Sequence, residues 1–378
     1  MKVINNILVF TVLICLTVSF AYAQDGQSRA TAGGGASFSL EPIWSTQTDS
    51  RWEPGEAIGD VEDGITAEFV EFSADGKLLV TANGLGKAFV LNAADGTIEQ
   101  TFTYITDEEI SSISESQISG ISGGLTKSME VECAAFTPDG RFLVLGGNLN
   151  GAKIFDLSDG SLVRHIKEEE EIDGLMISPD GRFFAHGSHR SARVYNAKTW
   201  ELIKQVPYGK IKGTHGPVIN SIDFATNADL MVLGGNYGHV QLNNTRDWKQ
   251  TGDGFIQNTS SIKSVRFSPD ERLVCAGYGG GEITVWRVRD MSLVKQFSSL
   301  VYIEAVAWSS DGRYLMAGGR DDSEGRLRVY RTSDWQMVGN PEVQADAASI
   351  EYIDIHGDLV AIAGEDAHVR LYRIKNPE

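Results

Sequence analysis

The sequence predicts an all-β fold in which one four-stranded unit is repeated seven times. Three observations carry that expectation. An aromatic or β-branched anchor recurs at Phe72, Phe136, Ile177, Phe224, Phe267, Trp308 and Ile355, with spacings of 64, 41, 47, 43, 41 and 47 residues. Apolar residues sit two and usually five positions before each anchor, as Val131 and Ala134 do before Phe136. That alternation marks a strand with one buried face. Turn chemistry follows, in Ala74-Asp75-Gly76, Pro138-Asp139-Gly140, Pro179-Asp180-Gly181, Pro269-Asp270-Glu271 and Ser310-Asp311-Gly312.

The remaining elements of the unit come in a fixed order. A second strand, such as Arg141 to Leu145, runs into a glycine pair, Gly146-Gly147 or Gly234-Gly235. A third strand ends in an apolar-aromatic step: Ile154-Phe155, Val194-Tyr195, Val285-Trp286, Val329-Tyr330 or Leu371-Tyr372. Another turn, Asp159-Gly160 or one bearing Trp200, Trp248 or Trp335, leads to an outer strand such as Leu162-Val163 or Leu293-Val294. The three Trp turns occupy equivalent positions, which favours packing at blade rims over ligand stacking. Four antiparallel strands in every ~40–45 residues, repeated, make the blades of a β-propeller. The 41 glycines of the 378-residue chain then mark turns and strand ends.

The segments Phe267-Ser268-Pro269-Asp270 through Ile283-Thr284-Val285-Trp286, and Phe136 through Phe155-Asp156, resemble WD-repeat β-propellers. The resemblance covers about residues 65 to 378. It departs from the family pattern in several places. The family's Gly-His is visible only as Thr214-His215-Gly216, and its Trp-Asp only as Trp286 and as Phe155-Asp156. The Ser/Thr of its polar tetrad is Thr81 in the first unit, then Leu145, His186, Leu233, Ala276 and Ala317. Apolar packing is therefore expected where the family has a hydrogen-bond network. The seventh unit stops after its third strand, at Leu371-Tyr372-Arg373. The resemblance implies that Ser37 to Trp44 supplies the missing strand, closing the ring with a segment of about residues 37–46. Closure removes open sheet edges, and Pro42 suits an edge strand.

Composition excludes some partners. With 33 basic and 51 acidic side chains, the net charge is −18, which argues against nucleic acid and anionic membrane surfaces. Lys2, the apolar run Ile7 to Phe20 and Ala21-Tyr22-Ala23 form a secretory signal, with cleavage expected after Ala23. A secreted or periplasmic protein follows, with no membrane insertion after cleavage. Residues 24–36 read as a flexible lead-in, and residues 37–378 as a single propeller. Cys133 and Cys275 lie in apolar strand-like runs and read as small buried hydrophobes.

The glycine-pair loops and inter-blade loops share one face, and elaboration gathers there. The first spacing exceeds the 41-residue unit by 23 residues, placing an inter-blade insertion at about 103–128. Acids cluster on the same face: Asp60, Glu62 and Asp63; Asp107 to Glu109; Glu168 to Glu171; Asp321, Asp322 and Glu324; Glu365 and Asp366. No stretch has calcium-loop spacing. Either a landing site for a basic partner or plain solvation accounts for these acids. The candidate partner-binding residues are His189, Arg190, Tyr237, Tyr278, Arg320, Asp322, Glu365 and Asp366. No catalytic residue, metal site or cofactor is expected, because His165, His186 and His356 come from different blades and no nucleophile elbow or phosphate loop occurs. Gly279-Gly280-Gly281 joins two strands and reads as a loop. Asn243-Asn244-Thr245 and Asn258-Thr259-Ser260 match the glycosylation sequon. The sequence thus favours a monomeric, non-enzymatic scaffold for an unknown, basic protein partner. The alternative is a propeller enzyme, lactonase-like or quinoprotein-like, with its site at the axial mouth. What fills the channel discriminates the two.

Overall fold

Each anchor closes a short innermost strand, and the turn behind it sends the chain back beside itself. In the second unit, Val131–Phe136 pairs with Phe142–Gly147, which pairs with Ala152–Asp156 and then with Leu162–Ile166. The turn is held by side chains. Thr137 Oγ1 donates to Asp139 Oδ1 at 2.6 Å and accepts the N–H of Phe142 at 2.9 Å. Ser73, Ser178, Ser268 and Ser309 repeat this arrangement with Asp75, Asp180, Asp270 and Asp311. Gly140 sits at φ +68°, the left-handed conformation that glycine adopts without strain.

The computed structural model describes residues 38–48, 66–112, 129–148, 151–168, 170–209, 217–255, 260–322, 324–343 and 349–375. The signal segment, the lead-in, Ser37, Asp60, Glu62, Asp63, Thr214 to Gly216, Asn258, and residues 113–128 of the insertion lie outside them. The described residues form seven four-stranded antiparallel sheets, the blades numbered here in chain order from the one holding Phe72. Neighbouring blades touch through their innermost strands around the whole circuit, including the seventh against the first. The apolar core of the described residues lies between blades, as one cluster for each neighbouring pair.

The expected closure is present. Ser39–Gln47 pairs antiparallel with His368–Lys375, Ser39 opposite Lys375 and Gln47 opposite His368. The strand also grips both neighbours. Phe38 packs edge-on against Tyr314 of blade 6 at 5.0 Å, and Trp44 Nε1 donates to Ala93 O of blade 1 at 3.0 Å.

The glycine pairs have a steric cause. A Cβ on Gly146, Gly234, Gly277 or Gly318 would stand 2.7–2.9 Å from the isoleucine five residues before the next blade's anchor. A Cβ on Gly147, Gly235 or Gly319 would meet a backbone carbonyl of the chain entering its own blade at 1.9–2.1 Å. The Trp turns are packing devices. Trp200 meets Phe142 of the preceding blade at 5.8 Å, and Trp248 meets Phe183 at 4.9 Å. Leu145, Leu233, Ala276 and Ala317 are fully buried, so apolar packing does replace the tetrad. Burial pushes the His186 pKa down to about 4, so this imidazole is neutral at pH 7. Cys133 and Cys275 are buried and free, and Cys133 Sγ donates to Ile172 O at 3.3 Å. Asn243 is buried and donates to Trp248 O at 3.2 Å, so that sequon cannot present an acceptor.

Candidate functional site: the mouth of the axial channel

Two rings of side chains come from the innermost strands. The first lies four residues before each anchor. In five blades the pairing slips there, between Val131/Cys133, Ile219/Ser221, Ile262/Ser264, Ile303/Ala305 and Ile350/Tyr352. The extra residue is Glu132, Asn220, Lys263, Glu304 or Glu351, and a bulge re-aims its side chain. In blades 1 and 3, where the innermost strand is shorter, Glu68 and Asp173 hold the same offset. All seven positions are polar, five of them acidic. They face the axis at the end of the strands that the inter-blade loops enter.

Charge at this mouth is unbalanced. Lys263 Nζ lies 3.1 Å from Glu304 Oε2 and 5.3 Å over the ring of Tyr302, whose other cation is Arg320, at 5.1 Å. Burial, then the charges of Glu304, Glu365 and Glu68, hold the Glu351 carboxyl well above the usual range. Burial also raises Glu304, against the pull of Lys263. Glu351 Oε1 is fully buried and has no hydrogen-bond partner.

The second ring, one residue before each anchor, holds Glu71, Ala135, Met176, Asp223, Arg266, Ala307 and Asp354. Its carboxyls clasp neighbouring blades by accepting the N–H of the next anchor. Asp223 Oδ2 takes that of Phe267 at 2.7 Å, Asp354 Oδ2 that of Phe72 at 2.7 Å, and Glu71 that of Phe136. Arg266 supplies the compensating charge. Its guanidinium donates to Val265 O at 2.7 Å, to Ser221 Oγ at 3.2 Å and to Tyr352 Oη. Burial raises the pKa of Asp223 to about 6 and lifts those of Glu71 and Asp354. Between the rings, Glu132, Asp173, Asn220, Lys263, Arg266 and Tyr352 border a space of about 40 Å³. That is room for roughly three waters.

The residues singled out from sequence divide into two groups. His189, Arg190, Tyr237 and Asp322 are exposed on the loop-bearing face, the last three with φ of 67°, 66° and 54°. Arg320 and Glu365 reach the mouth: Arg320 over Tyr302, and Glu365 beside Glu351 while its Oε2 accepts the N–H of Ser349 at 3.1 Å. Two expectations fail. Tyr278 is fully buried in the core between blades 4 and 5, because it takes the place of a pair's second glycine and turns inward. Asp366 is fully buried as well, gripped by both guanidinium nitrogens of Arg370. Neither can anchor a partner.

Much of the acidity on this face is paired internally. Glu109 meets Lys153 at 2.7 Å, Glu168 meets Arg193, and Asp321 meets Arg328. Glu109 also closes a capping box on the helix Asp107–Ser112, its Oε2 accepting the N–H of Thr106 at 2.8 Å. Among the described residues no group of three His, Cys, Asp or Glu stands in metal-holding geometry, and no helix is long and apolar enough to cross a membrane.

Ring and blades define the class: a closed seven-bladed β-propeller. Residues 293–330 match the family described as WD domain, G-beta repeat, and residues 222–311 match the WD40 domain of anaphase-promoting complex subunit 4. The first match starts in the outer strand of blade 5 and ends in the third strand of blade 6, so the sequence repeat is offset from the blade by one strand. The chain is a WD-repeat β-propeller. It is 20% identical over 220 residues to the human U3 small nucleolar RNA-associated protein 18 homolog, covering 56% of this chain and 38% of that one. It is 26% identical over 133 residues to small ribosomal subunit protein RACK1z of Oryza sativa subsp. japonica, covering 33% and 38%. It is 24% identical over 189 residues to antiviral protein SKI8 of Saccharomyces cerevisiae, covering 42% and 47%. The matched stretch spans less than half the length of each of these relatives.

Proposed function

We propose that this protein is an exported, non-enzymatic scaffold, a single ring that binds a basic protein partner on the loop-bearing face around the channel mouth. The observation that carries the reading is the contrast between mouth and interior. Five of the seven mouth-ring positions are acidic and exposed Arg190, Tyr237 and Asp322 stand on loops of the same face, whereas the space described between the rings is about 40 Å³. Arg and Tyr are the residue types that anchor interfaces. The relatives support the same reading: one is a protein of the small ribosomal subunit, and one matching family is the WD40 domain of a subunit of the anaphase-promoting complex. The enzyme reading requires acids and a cation converging on the axis, and these are present. A substrate needs a pocket of ~300 Å³ or more; the described space between the rings is about 40 Å³, and a hollow of about 540 Å³ beside Asp270, Arg272, Arg287 and Arg289 includes no residue of either ring.

Partner capture from the exported fraction, with the full mature chain immobilised, tests the reading. Bound protein should elute as salt is raised, and Arg190→Ala with Tyr237→Ala should weaken capture. Capture that ignores both salt and these substitutions would sink it. N-terminal sequencing of the exported chain should begin at Gln24; a chain retaining Met1 and found inside the cell would remove export.

A further inference from the structure

We infer that a hollow on the face opposite the channel mouth is a docking site for an acidic segment of a protein partner, two carboxylates flanking an apolar side chain. The inference is independent of the loop-face reading above and gives the ring a second surface with the opposite charge preference. In blade 5, one turn joins Ile262–Phe267 to Leu273–Tyr278 and another joins Glu282–Arg287 to Leu293–Ser298, so both lie at the same end of the sheet. Together they line a hollow of about 540 Å³, to which Arg272, Arg287 and Arg289 bring guanidiniums and Leu273 and Val288 apolar surface.

The acids beside this hollow are spent within the chain. Asp270 Oδ1 accepts Ser268 Oγ at 2.6 Å and the N–H of Arg272 at 3.1 Å. Glu271 Oε1 reaches blade 4, accepting the N–H of Asn227 at 2.9 Å. It does so from φ 59°, where blades 1, 2, 3 and 6 place Gly76, Gly140, Gly181 and Gly312, so strain is kept at this turn to hold the side chain. Asp290 accepts the N–H and the hydroxyl of Ser292, at 3.0 and 2.6 Å. The arginines are held more loosely. Arg272 Nε lies 3.8 Å from Asp270 and Arg289 Nε 3.1 Å from Asp290, both exposed pairs of the kind that contribute little. Arg287 donates to Ser292 Oγ at 3.3 Å. With five N–H donors on each guanidinium, most face solvent.

This lining selects the ligand. Guanidiniums bind carboxylates through paired hydrogen bonds. Leu273 and Val288 are both partly exposed, and an apolar group arriving with the charge would bury them. An inorganic anion lacks such a group, and nucleic acid or an anionic membrane meets a chain of net charge −18. An acidic peptide carries both features and is met here by a local positive patch. The volume falls within the ~300–1,000 Å³ of ligand sites.

The test uses the full mature chain and a blocked pentapeptide, Gly-Glu-Leu-Glu-Gly, against two controls, Gly-Gln-Leu-Gln-Gly and Gly-Glu-Ser-Glu-Gly. Calorimetric titration should show the first peptide binding about tenfold or more tightly than its glutamine counterpart, and measurably more tightly than the serine one. Arg272→Gln with Arg289→Gln should abolish the preference for glutamate, and Arg287→Gln alone should reduce it. Circular dichroism and thermal unfolding confirm that these surface variants are folded. Equal affinity for the glutamate and glutamine peptides, no binding of any peptide at millimolar concentration, or a preference that survives the double substitution overturns the inference. Equal affinity for the leucine and serine peptides also overturns it, because the hollow then holds an adventitious anion only. The two readings fail separately. Arg190→Ala with Tyr237→Ala, on the other face, should leave peptide binding unchanged, and its loss there would overturn the inference. Peptide binding that persists while capture from the exported fraction fails supports the hollow and refutes the loop-face reading alone.

Discussion

The two rings of the channel come from the same strands, three residues apart, yet they solve opposite problems. In the deeper ring, Asp223, Asp354 and Glu71 each accept backbone N–H groups and surround Arg266, so charge and hydrogen bonding are balanced within the fold. In the mouth ring, carboxyls crowd one another and Glu351 Oε1 has no donor. The first arrangement stiffens the ring of blades. The second leaves a crowded carboxyl that burial holds toward its neutral form. Both rings hold compensating cations of the chain; what separates them is how fully their carboxyl oxygens are hydrogen-bonded within the fold.

That difference can be broken in order of effect. Arg266→Met should remove the deeper ring's only cation and cost about 3–5 kcal/mol in chemical denaturation. A loss under about 1 kcal/mol would mean that the carboxyls there do not depend on it. The next effect is pH dependence. The Asp223 pKa is raised by burial from 3.8 to about 6, with Asp354 and Glu71 shifted the same way. A raised carboxyl favours the fold most below its unfolded pKa, and that contribution fades as pH climbs through the folded value. The penalty of Asp223→Asn should accordingly be smaller at pH 7 than at pH 4.5; a pH-independent penalty would contradict the shift. Smallest is Glu351→Gln. Removing a repelled carboxylate should leave stability unchanged or raise it by up to about 1 kcal/mol at pH 7. Measured destabilisation would show that Glu351 belongs to the framework after all.

The period of the repeat made the architecture readable. Anchors, Asp turns and glycine pairs recur because each blade must meet the same neighbours, and the closing strand was placed within two residues of Ser39–Gln47. The mouth ring had a signal too. A polar residue stands four before every anchor, from Glu68 to Glu351, at a position where strand alternation alone would put a core residue. Reading those strands as regular hid the bulge that turns it to the axis. Tyr278 and Asp366 misled for another reason. Polar residues beside a glycine pair look like loop residues, but Thr284 and Arg370, on the neighbouring third strands, draw them inside.

The seam of the ring also sets how it responds to tension. Ser39 lies opposite Lys375, so chain enters and leaves the closing sheet at the same end. A pull between these points loads the seam one residue pair at a time, like a zip, and never shears its hydrogen bonds together. In a force-ramp experiment between residues 38 and 375, the seam should part first and at low force, while the blades behind it stay folded.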